Sequence, residues 1–449
     1  MERISNNLSA FTPARLLAQL THYPAPRYWV AYSGGLDSHT LLHAMAGLRP
    51  HLPGTELHAI HINHALQPDA QQWADHCAEV CAALQIPYRA VHVNATPAAG
   101  ESPEAAARSA RYEALAGVMN NGDALLTAHH RDDQAETLLL QLLRGSGPHG
   151  LAAMPACATF AAGVHLRPLL EFTRAQLHHY AIRQNLSWIE DQSNFVINYD
   201  RNYLRQEIMP RLAARWPAVS GTFARSARHA ADAAYLLDVL AHSDLEHVAA
   251  ERRDALSVAR LKMLTQPRQR NLLHAWFKHL HLPLPAAVHI EHILSDVVAV
   301  AADRVPCVRW PGAEVRRYRD LMYALTPLTP HDSSAVLPWN MQDTLTLPGG
   351  LGMLSAMPAT GSGIKQWLCR NPEVTVRFRQ GGECCRPAGR GHTHELRKLF
   401  QETAIPPWQR DRIPLIYAGP DLAAVGDLWV CEPFQAAADE NGLVIVQQA

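Results

Sequence analysis

Four short apolar segments rich in β-forming residues open the chain, at intervals of roughly 30 residues, with helical patterns between them. They occupy residues 28–32, 57–62, 88–93 and 124–128. Strands that alternate with helices run parallel, because each crossover helix returns the chain to the same edge of the sheet. Strands that are apolar throughout are covered on both faces. The sequence therefore predicts an α/β fold with a doubly wound parallel sheet.

Helical patterns extend this first region to about residue 217. Ser102 and Pro103 form a helix start, residues 132–143 form a further helix, and Thr173 with Gln176 forms a capping box. Apolar residues at helical spacing then mark a long amphipathic helix: Phe223, Ala227, Ala230, Ala234 and Leu237. Helical stretches continue to about residue 300. We therefore expect a mainly helical second region over 218–325.

The C-terminal part differs in composition. Residues 326–334 are rich in Pro, Thr and Ser, and the predicted linker spans 326–345. Short strand-like segments around glycine-rich turns follow, with one helical stretch near 394–402. The sequence predicts a small mixed α/β domain over 346–449, after a first domain over 1–217.

Composition points to a cytoplasmic protein rather than a secreted or membrane protein. There is no apolar run of about 18 residues and no signal-peptide core, so we expect no membrane partner. The eight cysteines include no Cys-x-x-Cys pair. Cys77 and Cys81 share a helix face with apolar neighbours, which favours core packing over metal or redox work. No protein partner is evident.

The net charge of −1 gives no indication of nucleic-acid binding, but the charge is unevenly distributed along the chain. Residues 377–412 hold eight Lys/Arg against four Asp/Glu, and residues 252–270 hold six against one. Such clusters are either RNA-binding surfaces or solvated faces.

The segment Ser-Gly-Gly-Leu-Asp-Ser at 33–38 follows a strand and opens a helix. Its glycines let backbone amides approach phosphate oxygens, and the helix N-terminus adds partial positive charge. An acid beside phosphates requires a cation between them, so Asp37 indicates Mg²⁺. No Walker Gly-Lys-Ser/Thr follows, which excludes the usual kinase or GTPase loop. We therefore expect ATP to bind here.

This loop resembles the pyrophosphatase loop (PP-loop) of the N-type ATP pyrophosphatases, which cleave ATP between the α and β phosphates and transfer AMP to an oxygen. The resemblance implies ATP and Mg²⁺ as cofactors. It assigns nucleotide binding to the loop and to two histidines after the second strand: Ser33, Gly34, Gly35, Leu36, Asp37, Ser38, His61 and His64. The loop alone does not choose among members such as GMP synthetase, argininosuccinate synthetase and tRNA-modifying enzymes.

Further motifs resemble the long bacterial form of the tRNA(Ile)-lysidine synthetases, over nearly the whole chain. They are His-Ile-Asn-His-Ala-Leu at 61–66, Thr-Ala-His-His-Arg-Asp-Asp-Gln-Ala-Glu-Thr at 127–137, Asp-Gln-Ser-Asn at 191–194, Arg-Asn-Tyr-Leu-Arg at 201–205, Gly-Arg at 389–390, Leu-Phe-Gln-Glu at 399–402 and Pro-Pro-Trp-Gln-Arg-Asp-Arg at 406–412. Gln67 departs from the Arg common in that family.

The resemblance implies a two-step reaction on the CAU anticodon of tRNA(Ile). Cytidine O2 attacks the α-phosphate of ATP and releases pyrophosphate, and the lysine amine then attacks C2 and releases AMP. It also implies a catalytic domain over 1–217, tRNA binding by 218–325 and tRNA recognition by 346–449. The first step gathers negative charge, which Mg²⁺ and cationic donors stabilise.

The lysine amine needs an anionic site. Asp133 and Glu136 are three residues apart on one helix, so they share a face that would hold an ammonium and accept its proton. The alternative is that they merely favour the helix dipole. His129 and His130 have no third ligand at metal spacing, which favours positioning or acid–base support.

Arginines and amides complete the predicted site. Arg108 and Arg111 lie one turn apart, and one of them would steady the phosphate unless they form surface ion pairs. The groups suited to reading anticodon base edges are Asn194, Arg201, Asn202 and Arg205. Arg201 and Arg205 are also one turn apart, which a salt-bridged helix would explain. The aromatic residues Phe195, Tyr199 and Tyr203 suit either base stacking or a core.

Basic residues of the third domain form the last predicted contact. Arg390 and Arg397 are expected to bind tRNA phosphates, within a set that also includes Arg386, Arg410 and Arg412. The main rival function is a tRNA thiolase, which the lack of Cys-x-x-Cys disfavours. A nucleotide-sensing RNA-binding protein is disfavoured because Asp37, Asp133 and Glu136 are all present.

Overall fold

The computed structural model describes residues 10–63, 70–94, 96–97, 103–191, 197, 199–252, 254–301, 304–370 and 374–448. The chain divides into two compact units, Met1–Leu237 and Asp238–Ala449. Within the described ranges, no helix is long and apolar enough to cross a membrane.

The first unit is built on a six-stranded sheet with the order β3-β2-β1-β4-β6-β5. Its strands are β1 Arg27–Ala31, β2 Glu56–Asn63, β3 Tyr88–His92, β4 Ala124–Leu126, β5 Cys157–Phe160 and β6 Gly163–Leu166. All neighbouring pairs are parallel except the β5–β6 hairpin. The predicted parallel sheet and its four strands are confirmed, and the β5–β6 hairpin is an addition that the sequence analysis omitted.

Helices cover both faces of this sheet, as predicted. They are α1 Pro13–Leu20, α2 Leu36–Leu48, α3 Ala70–Ala83, α4 Pro103–Ala116, α5 Arg131–Leu143, α6 Pro148–Leu151, α7 Arg174–Arg183, α8 Asp200–Tyr203, a π-helical turn Leu204–Ile208 and α9 Met209–Arg215. Tyr28 and Val30 pack with Leu41 of α2 on one face. Trp29, one residue away on the strand, packs with Leu115 of α4 on the other. The capping box of Thr173 and Gln176 is present at the start of α7.

The strand order reverses between β1 and β4. From β1 the chain proceeds outward to β2 and β3, and it then returns to place β4 on the opposite side of β1. In open parallel sheets, ligands bind at the carboxyl ends of the two strands where this reversal occurs. The loop after β1 and the residues after β4 therefore meet at the expected position of a binding site.

A long helix α10, Val219–Val248, follows the first unit's other elements. The second unit begins at Asp238, within this helix, and continues with a four-stranded antiparallel sheet of order β7-β10-β9-β8. Its strands are β7 Ala255–Ser257, β8 Cys307–Trp310, β9 Ala313–Tyr318 and β10 Leu321–Leu325. Around it lie α11 Val258–Lys262, α12 Gln266–His279, α13 Ala287–His292 and a π-helical turn Ile293–Val298. Trp276, Phe277 and Trp310 fill its core. The prediction of mainly helical structure over 218–325 missed this sheet, because its strands are short.

The remainder of the second unit is mixed α/β, as predicted. Its strands are β11 Val336–Pro338, β12 Leu345–Thr346, β13 Met353–Thr360, β14 Ile364–Lys365, β15 Val374–Arg377, β16 Cys384–Cys385, β17 His394–Glu395, β18 Leu415–Ala418, β19 Asp421–Val425, β20 Trp429–Val430 and β21 Asn441–Gln448, with helices α14 Leu396–Glu402 and α15 Pro407–Arg410. They form sheets of order β11-β15-β18-β19-β20 and β12-β13-β21-β14, and a β16–β17 ribbon. The stretch predicted as linker already contains β11.

Arg410 has a structural position that the sequence did not indicate. It is buried, and its guanidinium donates to the carbonyl of Ile405 at 2.9 Å and to the hydroxyl of Tyr318 at 2.8 Å. Tyr318 belongs to β9, so Arg410 connects α15 to the sheet that precedes it in the same unit. The expectation that Arg410 faces RNA phosphates is therefore wrong, because its side chain is buried and its guanidinium donates to groups inside the protein.

We predict that Arg410→Met lowers the free energy of unfolding by about 1–3 kcal/mol, because it leaves the Tyr318 hydroxyl and the Ile405 carbonyl without their donor. Chemical unfolding of the full chain, followed by tryptophan fluorescence, measures the change. Arg397→Met is the matched control, since Arg397 is exposed on α14 and its replacement should leave the transition in place. Equal stability of the two variants would contradict the structural role.

Candidate active site

The loop after β1 begins the candidate site. Gly35 is the N-cap residue of α2, which starts at Leu36. The first backbone N–H groups of a helix have no partner within it, so they form an anion site at the carboxyl end of β1. The side chain of Leu36 is buried, which anchors the loop to the core.

Two serines hold this loop in shape. The Ser33 backbone N–H donates to Ser38 Oγ at 3.2 Å, and Ser38 Oγ donates to the Gly35 carbonyl at 3.1 Å. Ser33 Oγ lies 3.0 Å from Ser38 Oγ. The hydroxyls of Ser33 and Ser38 thus form hydrogen bonds within the loop, and these bonds pre-organise its backbone amides.

Gly34 has a backbone conformation that favours glycine. Its φ is +84°, and a Cβ there would lie 3.1 Å from Cys77 Sγ and 3.3 Å from Ile189 Cδ1. Cys77 is fully buried on α3, in keeping with the core packing that the sequence favoured. Glycine is therefore favoured at position 34 for two reasons: its positive φ, and the closeness of Cys77 and Ile189 to any added Cβ.

Asp37 carries an unsatisfied carboxylate oxygen. Its Oδ1 is buried and has no hydrogen-bond partner among the described residues, while Oδ2 lies 3.6 Å from His130 Nε2 and 4.0 Å from Arg174 Nε. A buried carboxylate oxygen without a partner is costly, and a bound cation removes that cost. The unpartnered Asp37 oxygen at the start of α2 fits Mg²⁺, which needs few protein ligands when phosphates and water supply the rest. No group of three His, Cys, Asp or Glu suited to a metal occurs among the described residues.

Asp133 and Glu136 lie at the start of α5, and both are buried. Arg201 Nη2 approaches Asp133 Oδ1 at 3.2 Å and Arg201 Nε approaches Glu136 Oε2 at 3.1 Å. Arg205 lies closer, at 2.8 Å from both Asp133 Oδ1 and Glu136 Oε1. Two carboxylates and two guanidinium groups therefore form one compact, neutral cluster.

The charges of this cluster stabilise one another. Burial acts to raise the pKa of Asp133, but His130, Arg201 and Arg205 outweigh it and hold that pKa at about 2. Burial likewise acts to lower the pKa of Arg205, and the neighbouring carboxylates raise it overall. Asp133 is thus ionised at neutral pH, and the carboxylate pair binds guanidinium groups of the chain itself. The arginines expected to face RNA bases contact these carboxylates in the free chain, and a lysine ammonium at this position stays a prediction.

His130 connects the loop to the carboxylate pair. It is the N-cap residue of α5, where its Nδ1 accepts from the Asp133 N–H at 3.3 Å and its own N–H donates to Asp133 Oδ2 at 3.0 Å. Its Nε2 faces Asp37 Oδ2. Burial acts to lower the pKa of His130, but Asp133, Asp37 and Asp132 raise it overall.

His129 belongs to a buried polar network that the sequence analysis did not find. Its Nδ1 lies 2.8 Å from Thr127 Oγ1, which lies 2.8 Å from His165 Nε2. Arg167 Nη2 lies 3.0 Å from His165 Nδ1. His165 and Arg167 are two residues apart at the end of β6. The sequence pattern that could have revealed the network is this pair of polar residues on one face of a strand.

The remaining predicted residues have mixed placements. His61 is buried, and its Nδ1 donates to the Tyr32 carbonyl at 2.9 Å, directly before the loop. Burial lowers the pKa of His61, and Arg111 is among the nearby charges that add to this shift. The Arg108 guanidinium stacks over Tyr112 at 4.9 Å. His64, Gln67, Asn194 and Phe195 lie outside the described residues.

Tyr199 and Tyr203 are 46% and 47% exposed, so the core alternative is wrong for both and base stacking stays a prediction. Asn202 lies between Arg201 and Tyr203 on α8.

In the second unit, Arg390 pairs with Glu402 at 2.6 Å, and Arg397 is exposed. Arg386 pairs with Glu432, and Arg412 donates to the Thr329 carbonyl.

Three family models match the chain. They are a PP-loop domain over residues 9–212, a TilS substrate binding domain over 256–323 and a TilS substrate C-terminal domain over 374–446. Their order agrees with the order of the three predicted regions.

Whole proteins match over nearly the full length. The chain is 45% identical over 434 residues to the tRNA(Ile)-lysidine synthase of Coxiella burnetii, which covers 96% of each chain. It is 43% identical over 425 residues to that of Methylococcus capsulatus, covering 94% of this chain and 96% of the other. The solved U34-tRNA thiolase NcsA from Methanococcus maripaludis covers 48% of this chain and 76% of its own at 16% identity. Its TM-score of 0.42 is too low to bear on function.

We predict that Gly34→Ala lowers the free energy of unfolding by about 1–2 kcal/mol, because alanine is strained at positive φ. The same substitution at Gly47, inside α2 with no atom within 4 Å of the new Cβ, should raise that free energy by about 0.5–1 kcal/mol. Denaturant unfolding of the two variants measures both. A stable Gly34→Ala protein would refute the assigned loop conformation.

Proposed function

Because the chain belongs to the tRNA(Ile)-lysidine synthase family, we propose that it ligates L-lysine to C2 of the first anticodon cytidine of tRNA(Ile) carrying a CAU anticodon. Cytidine O2 attacks the α-phosphate of ATP and pyrophosphate leaves. The lysine ε-amine then attacks C2, and AMP leaves with the oxygen. One observation carries the proposal: a buried carboxylate pair lies beside a phosphate-type loop at the reversal point of a parallel sheet, with His130 between them.

The nucleotide occupies the loop side of the site. Backbone amides of 34–38 at the start of α2 bind the phosphates, and His61 braces the strand end before the loop. His64 is proposed as a further nucleotide contact. Asp37 would hold Mg²⁺, which would supply positive charge for the leaving pyrophosphate. Arg108 and Arg111 of α4 supply positive charge for the α-phosphate.

Lysine occupies the side of Asp133 and Glu136. In the free chain the two guanidinium groups stand where an ammonium would bind, and they satisfy the same carboxylate oxygens. We propose that the lysine ammonium replaces at least one of them. Each displaced arginine, whether Arg201, Arg205 or both, then contacts anticodon bases together with Asn194 and Asn202, because base edges need amide and guanidinium groups. His129 and His130 position the reacting groups.

The other regions bind the body of the tRNA. We propose a catalytic domain over 1–217, a tRNA-binding domain over 218–325, a linker over 326–345 and a tRNA-recognition domain over 346–449. Arg390 and Arg397 contact phosphates away from the anticodon, where contacts fix orientation rather than read sequence. A cytoplasmic location accords with these substrates.

Mass analysis of tRNA(Ile) with a CAU anticodon tests the proposal. After incubation with the enzyme, ATP, Mg²⁺ and lysine, the anticodon fragment should gain the mass of lysine less one water. The same RNA with a UAU anticodon is the control and should stay unchanged. A sulfur-for-oxygen mass gain would establish a thiolase instead, although the chain contains no Cys-x-x-Cys.

We predict that Asp37→Asn abolishes pyrophosphate release in the presence of tRNA, because the amide no longer binds Mg²⁺ as an anion. The thermal unfolding temperature without nucleotide should change little, since Asp37 Oδ1 has no partner among the described residues and the amide can keep its oxygen on the side of Oδ2, toward His130 Nε2. Near-normal pyrophosphate release would remove Asp37 from the mechanism, and a large fall in stability would show that its role is structural.

We predict that Glu136→Gln or Asp133→Asn raises the lysine KM on the order of tenfold, because a charge-assisted hydrogen bond is worth about 1.5–3 kcal/mol. The ATP KM should change little. Asp132→Asn is the control: Asp132 accepts from the Arg174 N–H and is not bonded to either arginine of the cluster in the described part of the chain. An increase in the ATP KM without one for lysine would show that the ammonium site is elsewhere.

We predict that Arg397→Ala raises the KM for full-length tRNA and reduces its salt dependence, because one phosphate contact is lost. Turnover at saturating tRNA should be unchanged. An anticodon stem-loop, if it is a substrate, should react equally with the variant and the parent. Equal losses on both RNAs would rule out a contact remote from the anticodon.

A further inference from the structure

The polar network behind His129 runs from the interior to the site. Thr127 is 8% exposed, His165 3% and Arg167 9%, whereas His129 is only partly buried. Each link is short: 3.0 Å from Arg167 to His165, 2.8 Å from His165 to Thr127 and 2.8 Å from Thr127 to His129. Three buried groups are thus arranged in series behind one accessible imidazole.

The guanidinium of Arg167, the first group of the network, fixes the direction of each hydrogen bond in it. An arginine guanidinium only donates, so His165 Nδ1 accepts and carries no proton. His165 must then hold its proton on Nε2 and donate it to Thr127 Oγ1. The Thr127 hydroxyl has one hydrogen and two lone pairs, one of which accepts from His165. Among the described residues its other neighbour within hydrogen-bond distance is His129 Nδ1, so a hydrogen that pointed elsewhere would be left unsatisfied in a buried place. His129 Nδ1 therefore accepts from Thr127.

This direction decides the state of His129. With Nδ1 accepting, the proton of the neutral ring lies on Nε2, on the side of the imidazole away from Thr127. Protonating Nδ1 as well would leave the Thr127 hydroxyl hydrogen without an acceptor among the described residues. The surroundings also oppose a positive ring, since Arg167, Arg201 and Arg108 add to the effect of burial, while Asp133 acts in the other direction. Burial, Arg167, His129 and Arg108 likewise keep His165 neutral.

We propose that Arg167, His165 and Thr127 are positioning residues that hold His129 as a neutral hydrogen-bond donor, whose Nε2–H binds a phosphate oxygen of the nucleotide during adenylation. His129 is then not the base that accepts the lysine proton, and that role falls to the Asp133–Glu136 pair. The phosphate assignment rests on the proposed function. The tautomer does not, because it follows from the hydrogen bonds alone.

The location supports a phosphate oxygen as the acceptor. His129 follows β4, and the phosphate loop follows β1, the strand that pairs with β4. A neutral donor in a partly buried place stabilises developing negative charge without carrying a charge of its own. Valine has the same shape as threonine but lacks the hydroxyl. Replacing Thr127 by valine therefore tests whether the hydroxyl itself has a function.

The first test compares Thr127→Val with Thr127→Ser. Valine keeps the shape and removes the hydroxyl, whereas serine keeps the hydroxyl. We expect Thr127→Val to lower kcat for pyrophosphate release on the order of tenfold or more at a similar ATP KM, as loss of one transition-state donor does. Thr127→Ser should keep its activity within about threefold of the parent. A fall of that size is smaller than the fall expected when a hydrogen bond is lost. Equal activity of both variants, whether high or low, would overturn the proposal.

The second test needs no substrate. The chain is labelled with ¹⁵N-histidine, and the two rings are assigned by difference from His129→Gln and His165→Gln among the 26 histidines. Long-range ¹⁵N–¹H spectra should show both rings neutral and protonated on Nε2 from pH 6 to pH 8. In Thr127→Val, His129 should show a mixture of tautomers. A proton on Nδ1 of His129, or a doubly protonated ring in that pH range, would overturn the proposal even if lysidine formation were confirmed. Conversely, failure to form lysidine would leave the tautomer result intact.

Discussion

His130 lies between the two halves of the site, and its position depends on the parallel pairing of β1 with β4. That pairing places the loop of Asp37 and the start of α5 at one edge of the sheet. The imidazole then faces Asp37 through Nε2 and Asp133 through Nδ1, while the His130 backbone completes the cap of α5. A cation beside Asp37 and an amine beside Asp133 are consequently neighbours. Such proximity is what a two-step reaction needs if its intermediate is to stay in place.

Charge balance explains why the site is stable without ligands. Buried carboxylates require partners, and Arg201 and Arg205 supply them to Asp133 and Glu136. Asp37 Oδ1 has no equivalent partner among the described residues. The free chain thus pairs Asp133 and Glu136 internally and leaves this oxygen of Asp37 unsatisfied. In the proposed reaction lysine would compete with guanidinium groups of the chain itself, whereas Mg²⁺ would meet no such competitor at Asp37 Oδ1 in the described part of the chain.

The parts of the site that sequence predicts are those set by local rules. A glycine turn between a strand and a helix, and two acids three residues apart on one helix face, depend only on nearby residues. The partners of those acids do not: Arg201 is 65 residues from Glu136 and Arg205 is 72 from Asp133. A salt-bridged explanation of these arginines was available from the sequence, but not the identity of their partners. His165 and Arg167 were missed for the same reason, because Thr127 lies 38 residues from His165.

Transfer of label from ATP to RNA tests the two-step account most directly. The enzyme is incubated with ATP labelled at the α-phosphate, Mg²⁺ and tRNA(Ile) with a CAU anticodon, but without lysine. The account predicts that label becomes attached to the RNA with release of pyrophosphate, and that added lysine converts it to free AMP. Pyrophosphate release without labelled RNA, or labelled RNA that lysine does not discharge, would contradict an adenylated intermediate at this site.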